Sequence, residues 1–492
     1  MGRKPLFANL GFLLQISGLF ALVSVPVGLY FNETEASVSV LLASVSYLGC
    51  GFLLNALCER KELSFKSSCT FILLAFVLMP LVGSVPYVYS DPFRSSNLLD
   101  RFTNAYFESV SGFTTTGLSF IPDSEILPRT ILLYRSLTEL MGGISIVFLL
   151  LVFFHTEESM SNLNKTLGIE DIGGSLKKTY FSVFLIYGVY IVIFTVVFYI
   201  LGIYDVVKAV SFAIDILTGG FQPSQAQWHQ FQSISMRLSL IVLMFVGSVN
   251  FGFNYNLMTY RLKELVTKEL KLYLVVLTTG TLLIATLSGI NALDSLFHVV
   301  SMSSSTGFDY IGISTLNDTA KSIFILLMIL GACSFSMAGG IKIYRIISFS
   351  ESIKHNVEEI LREEENPSMR PFKETAKDTE HFSAVISILL FVCTLVVFSI
   401  IFTTSGVSFT DALFEVGSAL TTSGISMGVT TVSMHIFYKY LLIIAMIVGR
   451  VEVMTILIAI WESDINVPNL IKLPSSFYRF VRSALSKESF SK

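Results

Sequence analysis

Charge is what this 492-residue chain has least of. Asp, Glu, Lys and Arg make up 14% of it, against 53% hydrophobic residues. Soluble globular domains carry about 25% charged residues, so this composition excludes that class, and the net charge of -3 identifies no partner. Cysteine is scarce. Cys50, Cys58, Cys69, Cys333 and Cys393 are odd in number and lie in or beside apolar stretches, without a disulfide framework or zinc spacing. Catalytic signatures are missing: the chain has no HExxH, no GxSxG and no phosphate-binding loop, and of six histidines only His298 falls in a segment expected to re-enter the membrane. A membrane enzyme needs a constellation of catalytic groups facing a cavity. No catalytic residue, covalent cofactor or nucleic-acid partner is therefore expected.

What the chain does have is apolar blocks of about 20 residues, the length that spans a bilayer. The first runs from Leu6 to Phe31 and the second from Ala36 to Leu57. Later ones begin near Phe65, Thr130, Tyr180, Ser235, Leu270, Ser322, Phe382 and Tyr438, giving ten candidate spans. The N-terminal block is too long for a signal peptide and lacks a small-residue cleavage site, so it counts as a span. Most of the 33 Lys and Arg fall on alternate connections. They include Arg3 and Lys4, Arg60, Lys61 and Lys66, Lys165, Lys177 and Lys178, the segment 342–377 and the tail after Trp461. The positive-inside rule then puts both termini in the cytoplasm.

The outer connections after spans three, five, seven and nine repeat one pattern, an apolar stretch followed by small hydroxyl residues and glycine. They read SVSGFTTTGLS (109–119), AIDILTGGFQP (213–223), VSMSSSTGFDY (300–310) and GSALTTSGISM (417–427). Aligned on Gly117, Gly220, Gly307 and Gly424, they bring Phe107, Val210, Phe297 and Phe414 into register upstream. Asp100, Asp205, Asp294 and Asp411 come shortly before those, and Gly142, Gly247, Gly331 and Gly449 follow in the next span. The expected fold is an all-α integral membrane protein. Two N-terminal helices (1–62) precede four pseudo-symmetric helix–pore loop–helix repeats around one central pore. The repeats cover 63–160, 161–262, 263–350 and 381–463, with a cytoplasmic linker at 351–380 and a cytoplasmic tail at 464–492.

A dehydrated cation needs several oxygens close by, and rings of backbone carbonyls supply them in potassium-selective filters. Successive carbonyls point one way only where some residues take positive φ, which glycine does cheaply. Small Thr and Ser neighbours permit close approach and add hydroxyl oxygens. The candidate potassium-binding filter is thus Thr115, Thr116 and Gly117; Thr218, Gly219 and Gly220; Ser305, Thr306 and Gly307; and Thr422, Ser423 and Gly424. The second loop departs most, with a second glycine and Asp215 near the end of its half-helix.

FESVSGFTTTG (107–117), SSSTGFD (303–309), ALTTSGIS (419–426) and above all GRVE (449–452) resemble the Trk/Ktr/HKT superfamily of potassium uptake proteins. The two extra N-terminal spans and the length resemble its bacterial Trk-type branch, and the likeness covers essentially the whole chain. It implies potassium uptake across the cell inner membrane by a single-chain pseudo-tetramer. It also implies a homodimer with one pore per subunit and a cytoplasmic nucleotide-binding regulatory ring as partner. Channel-like flow, sodium- or proton-coupled potassium symport and a less selective sodium/potassium conductor remain open within it.

Two features inside the spans are candidate gate elements. One is Arg450, either a positive barrier beneath the filter or a structural salt-bridge partner of Glu452 or of a neighbouring helix. The other is GACSFSMAGG (331–340), whose Gly331, Ala332, Ser334, Ser336, Ala338, Gly339 and Gly340 interrupt an otherwise bulky apolar span. The family resemblance places a gating loop there. Arg135 and Glu139 stand four apart, spacing suited to an ion pair. Glu108 and Glu415 occupy matching half-helix positions, where they either support the filter from behind or tint the pore entrance. The stretch KHNVEEILREEE (354–365) reads as a solvated cytoplasmic helix.

Overall fold

A computed structural model describes residues 4–58, 63, 65–121, 124–153, 176–222, 233–365 and 376–460. The expected tail at 464–492, residues 366–375 of the linker, and Arg60, Lys61 and Lys165 lie outside them. The fold is all-α, as the composition requires of a chain with long apolar blocks. The N-terminal helices α1 (Lys4–Leu22), α2 (Val25–Tyr30) and α3 (Thr34–Leu57) come first. Glycines bring α1 and α3 into close contact. A methyl group on Gly11 would lie 2.8 Å from the Gly51 carbonyl oxygen, and Ser44 Oγ donates to Gly18 O at 2.7 Å. Small residues let membrane helices approach to hydrogen-bonding range in this way. The Glu33 carboxylate ties this pair to the next unit by accepting the Arg129 and Thr130 amides, both at 2.9 Å, at a helix N-terminus where an anion is favoured.

Four times thereafter, a long helix, a short buried half-helix, a glycine loop and a further helix follow one another. The first set is α4 (Phe65–Gly83) with α5 (Val85–Ser90), half-helix α6 (Leu98–Phe113) and α7 (Arg129–Phe153). The second is α8 (Leu176–Ile200), half-helix α9 (Val206–Thr218), and α10 (Ile234–Ser248) with α11 (Phe251–Met258). The third is α12 (Lys268–Ser288), half-helix α13 (Ala292–Ser303), α14 (Asp318–Leu330) and, after a break, α15 (Ile343–Glu365). The fourth is α16 (Ala376–Thr403), half-helix α17 (Phe409–Leu420), and α18 (Ile436–Val451) with α19 (Val453–Ile460).

Among the described residues six helices are long and apolar enough to cross a membrane alone, or up to eight if two bent pairs each count once. The sequence led us to expect ten. The bends lie between α10 and α11, at 112°, and between α18 and α19, at 95°. Span eight is a helix of only 13 residues, because α14 stops at Leu330. At 1.5 Å per residue that is about 20 Å, short of a bilayer core.

Three of the four downstream glycines do one job. A methyl on Gly142, Gly247 or Gly449 would lie 2.0, 2.4 or 1.9 Å from Phe113 O, Leu217 O or Leu420 O, carbonyls in the last turn of their own half-helices. Only a glycine lets the following helix pass beneath so closely. Gly331, the fourth, instead has φ +66 and ends α14.

The outer rim is fastened between sets. Each half-helix is capped: by Asn97 on the Asp100 amide, by Asp205 on those of Val207 and Lys208, by Asn291 on that of Asp294 and by Ser408 on that of Asp411. The nearby acids then reach basic residues of the preceding set. Asp205 pairs with Arg129 at 2.7 Å, Asp294 with Arg237 at 2.6 Å, and Asp411 with Lys321 at 3.5 Å. At the junction of the fourth set with the first, buried Lys439 Nζ donates to Asn104 Oδ1 at 2.7 Å.

These links predict a stability coupling. Asp294→Ala strands both Arg237 and the Tyr310 hydroxyl that donates to the same carboxylate, at a cost of about 1–3 kcal/mol. Arg237→Ala combined with Asp294→Ala should cost less than the two single changes summed. Thermal melting of the four solubilised proteins measures this, and strict additivity would show that the pair is not coupled.

Candidate functional site

The four glycine loops meet in a closed ring. A methyl on Gly117 would fall 2.2 Å from Gly220 O, one on Gly219 2.5 Å from Ser305 O, one on Gly307 1.6 Å from Ser423 O, and one on Gly424 1.8 Å from Thr116 O. Each loop therefore touches the next in the order one, two, three, four and back to one. The predicted triplets are all brought together and buried.

In loops one, three and four the backbone follows one path. The amides of Thr114, Thr115 and Thr116 turn back to Val110 O, Gly112 O and Ser111 O at 2.8–2.9 Å. Ser304, Ser305 and Thr306 do the same toward Val300, Met302 and Ser301, and so do Thr421, Thr422 and Ser423 toward Gly417, Ala419 and Ser418. Thr115, Ser305 and Thr422 accept positive φ of +54, +57 and +53 for this, and Gly117, Gly307 and Gly424 follow at +81, +74 and +76. The path commits the loop N–H groups to the half-helix end and leaves carbonyl oxygens for the ring. A pair of hydroxyls locks each turn from behind: Thr114 with Thr116 at 2.7 Å, Ser304 with Thr306 at 2.8 Å, and Thr421 with Ser423 at 2.9 Å.

Loop two departs, as its sequence does. Its half-helix runs on through Thr218, whose hydroxyl donates to Ile214 O, and the positive φ falls on Gly219 at +72 instead of Gly220. Glu139, reaching from α7, replaces the missing lock by accepting the Phe221 amide at 2.6 Å. This corrects the expected Arg135–Glu139 pair. With Glu139 turned to loop two, Arg135 Nη2 donates to Glu108 Oε1 at 2.6 Å on half-helix α6, and its guanidinium stacks 3.7 Å over the Phe221 ring.

A second brace joins the residue nine before the ring glycine to the residue two after it. Glu108 accepts from Ser119 Oγ at 2.8 Å and from the Phe120 amide. Glu415 accepts from Ser426 Oγ at 2.7 Å, from the Met427 and Thr430 amides and from the Thr430 hydroxyl. Both carboxylates thus support their loops from behind. In loop three the same two positions hold His298 and Asp309, with Nε2 and Oδ1 3.2 Å apart. Sequence reasoning missed that pair because its residue types differ. The shared offset from the glycines was the available signal.

Beneath the ring, residues 331–342 contain no helix. The segment is bound on every side. Its Cys333 and Met337 amides donate to Ser248 O and Gly247 O, Phe335 O accepts the Phe251 amide, and Glu269 accepts from the Ser334 amide and hydroxyl at 2.6 and 2.9 Å. It also touches the ring. The Gly339 amide donates to Ser305 Oγ at 3.0 Å, and a methyl on Gly339 would meet Thr421 O at 2.2 Å. Arg450 fastens it to two other helices, donating through Nη1 to Met337 O and through Nη2 to Gly142 O, each at 3.0 Å. The salt-bridge alternative with Glu452 is not observed, since Glu452 pairs with Arg345 at 2.6 Å. Lys342 Nζ, which the sequence reading did not single out, donates to Ala338 O.

Known proteins resemble this chain in sequence and in fold. The TrkH family model, described as a cation transport protein, matches residues 264–468. An uncharacterized cation transporter of Methanocaldococcus jannaschii is 28% identical over 91% of this chain and 93% of its own length. The Trk system potassium uptake protein TrkH of Halomonas elongata is 25% identical over 93% of this chain and 98% of its own. The crystal structure of the potassium transporter TrkH from Vibrio parahaemolyticus shares the fold, with a TM-score of 0.78, 21% identity and coverage of 94% of this chain and 99% of that one.

The ring packing predicts that Gly307→Ala is not tolerated, because its methyl meets a backbone carbonyl at 1.6 Å. Gly188→Ala, where a methyl meets nothing within 4 Å, is the matched control. Folded yield and melting temperature in detergent should fall for the first by several degrees, since overpacking costs about 1–3 kcal/mol, and stay level for the second. Equal behaviour of the two would contradict the close approach.

Proposed function

The chain belongs to the Trk-type superfamily of potassium transporters, and from that premise we propose that it carries potassium into the cell through the ring of glycine loops. The observation that carries this reading is the ring itself: four loops in cyclic contact, with the amides of loops one, three and four turned back onto their half-helices. Oxygens so arranged replace the water that a potassium ion sheds. The half-helices direct their C-terminal ends, with partial negative charge, toward the same place. Thr115, Thr116, Gly117, Thr218, Gly219, Gly220, Ser305, Thr306, Gly307, Thr422, Ser423 and Gly424 are the proposed filter. A single glycine in three of the four loops, without a longer glycine signature, points to a short filter with modest discrimination. The same reading keeps both termini cytoplasmic and retains the homodimer and the nucleotide-binding ring on the cytoplasmic side.

Residues 331–340 are the proposed gate, supported by their contacts with Ser305 and Thr421 from below and by their lack of helix. Arg450 is proposed to hold both the gate and a positive charge in the path. Rubidium uptake into vesicles with imposed voltage and ion gradients tests the whole reading. Uptake driven by voltage alone is expected, a requirement for a sodium or proton gradient would move the protein to the symport class, and no uptake in either condition would overturn transport.

Arg450 gives a sharper test. A fixed charge a few Å from a passing cation repels it by about 4 kcal/mol at an effective dielectric of 20. If only about 1.4 kcal/mol of that enters the barrier, removing it speeds flux about tenfold. Arg450→Gln should thus raise rubidium flux about tenfold, while Arg450→Lys stays near wild type. Flux is normalised to folded protein. Lower flux in the Gln variant, with a lower melting temperature, would make Arg450 a scaffold residue.

A further inference from the structure

Loop two lacks the brace positions that serve the other three loops. The residues nine before and two after Gly220 are Ser211 and Gln222. Ser211 Oγ is buried and has no hydrogen-bond partner among the described residues. Gln222 Oε1 turns to the third loop, where it accepts the Asp309 amide at 3.3 Å. What holds the second loop comes from the first set instead. Arg135 and Glu139 stand one turn apart on α7. Glu139 Oε1 accepts the Phe221 amide at 2.6 Å, and the Arg135 guanidinium lies 3.7 Å over the Phe221 ring. A methyl on Gly112 of α6 would lie 3.4 Å from Phe221 Cε2, so the ring is also seated against that half-helix. Arg135 is itself fixed by the brace of loop one, donating through Nη2 to Glu108 Oε1 at 2.6 Å and to Ser119 Oγ at 3.1 Å.

These contacts bear on one carbonyl. The Gly220 oxygen and the Phe221 N–H belong to the same peptide unit, and in a trans peptide they point in opposite directions. With the N–H drawn to Glu139, the Gly220 oxygen is directed at Gly117, where a methyl would meet it at 2.2 Å. We propose that Arg135 is the positioning residue of the second loop: by gripping Phe221 while bound to Glu108 and Ser119, it carries the placement of loop one into loop two and so helps to set the preference of the ring for potassium over sodium. The proposal rests on the reading of the ring as a filter. A flat guanidinium is needed because one group must stack on an aromatic face while donating to a carboxylate and a hydroxyl. A lysine ammonium keeps the charge beside Glu108 but has no flat face to lay on Phe221. The ion pair therefore serves stability and the stack serves placement, and the two roles separate by experiment.

The test compares wild type, Arg135→Lys, Phe221→Leu and the double variant, reading the potassium-to-sodium uptake ratio in vesicles and the melting temperature in detergent. Arg135→Lys should keep the melting temperature near that of wild type and lower the ratio about threefold, the order that loss of one cation–π contact supplies. Phe221→Leu, which leaves Arg135 bound to Glu108, should lower the ratio by the same factor. The double variant should lower it no further, since both changes remove one contact. A wild-type ratio in Arg135→Lys would make the arginine a counter-charge for Glu108 and nothing more, which overturns the proposal, as do losses that multiply in the double variant. If Arg135→Lys does not fold, Phe221→Leu decides alone: a lowered ratio supports the proposal and an unchanged one overturns it. A wild type that takes up sodium as readily as potassium overturns the filter reading and this proposal with it, whereas a selective wild type beside an equally selective Arg135→Lys overturns this proposal alone.

Discussion

Four backbones approach one another too closely for any side chain to stand between them, and most of the structure follows from that contact. At Gly307 and Gly424 even a methyl would fall within 2 Å of a neighbouring carbonyl oxygen. Side chains therefore cannot hold the loops from within the ring. In loops one, three and four the amides do not face it either, since they are spent on the half-helix ends. What remains at the contact is carbonyl oxygen, with hydroxyls just behind. A segment in such a dry place must satisfy its own polar groups, and the turned-back amides do this while leaving the oxygens free.

Because nothing holds the loops from inside, they are held from outside, by three independent means. Hydroxyl pairs lock the turns, and residues nine before and two after the ring glycine brace the strand that leaves it. Gly142, Gly247 and Gly449 let the next helices close in below. A further tier, the acid–base links from Asp205, Asp294 and Asp411 to the preceding set, keeps the half-helices at fixed spacing around the rim. Exposed ion pairs contribute little alone, but these are mostly half-buried and each crosses a junction, so they act on the relative placement of sets more than on any one helix.

What could be read from the sequence was whatever repeats at fixed spacing. Gly117, Gly307 and Gly424 with their hydroxyl neighbours were legible, as were the acids near the half-helix starts and the break at 331–340. Contacts between sets were not. The spacing of Arg135 and Glu139 pointed to a pair within one helix, whereas each side chain serves a different loop. Arg450 next to Glu452 suggested a local bridge, yet their partners, Met337, Gly142 and Arg345, are more than a hundred residues away. The second loop was misaligned by one residue in its backbone role, because Gly219 and Gly220 look interchangeable in sequence and only the length of α9 decides between them. The pairing of His298 with Asp309 was not read because it keeps the positions of the Glu–Ser braces while changing the residue types.

The departures from fourfold likeness are concentrated where the ring and the segment beneath it meet. Sets one and four use their downstream glycine to seat a helix under the half-helix, and set two keeps that seat while borrowing Glu139 from set one to hold its loop. Set three gives the seat up: Gly331 takes φ +66, α14 ends, and the chain crosses under the ring without helix. A helix there would satisfy its own backbone. The broken segment instead draws its hydrogen bonds from Ser248, Gly247, Phe251, Glu269, Ser305 and Arg450, which belong to several different elements. Loss of any one of those partners removes a bond from the segment without unfolding a helix. A ring held by repeated braces thus lies above one unrepeated segment held by dispersed bonds.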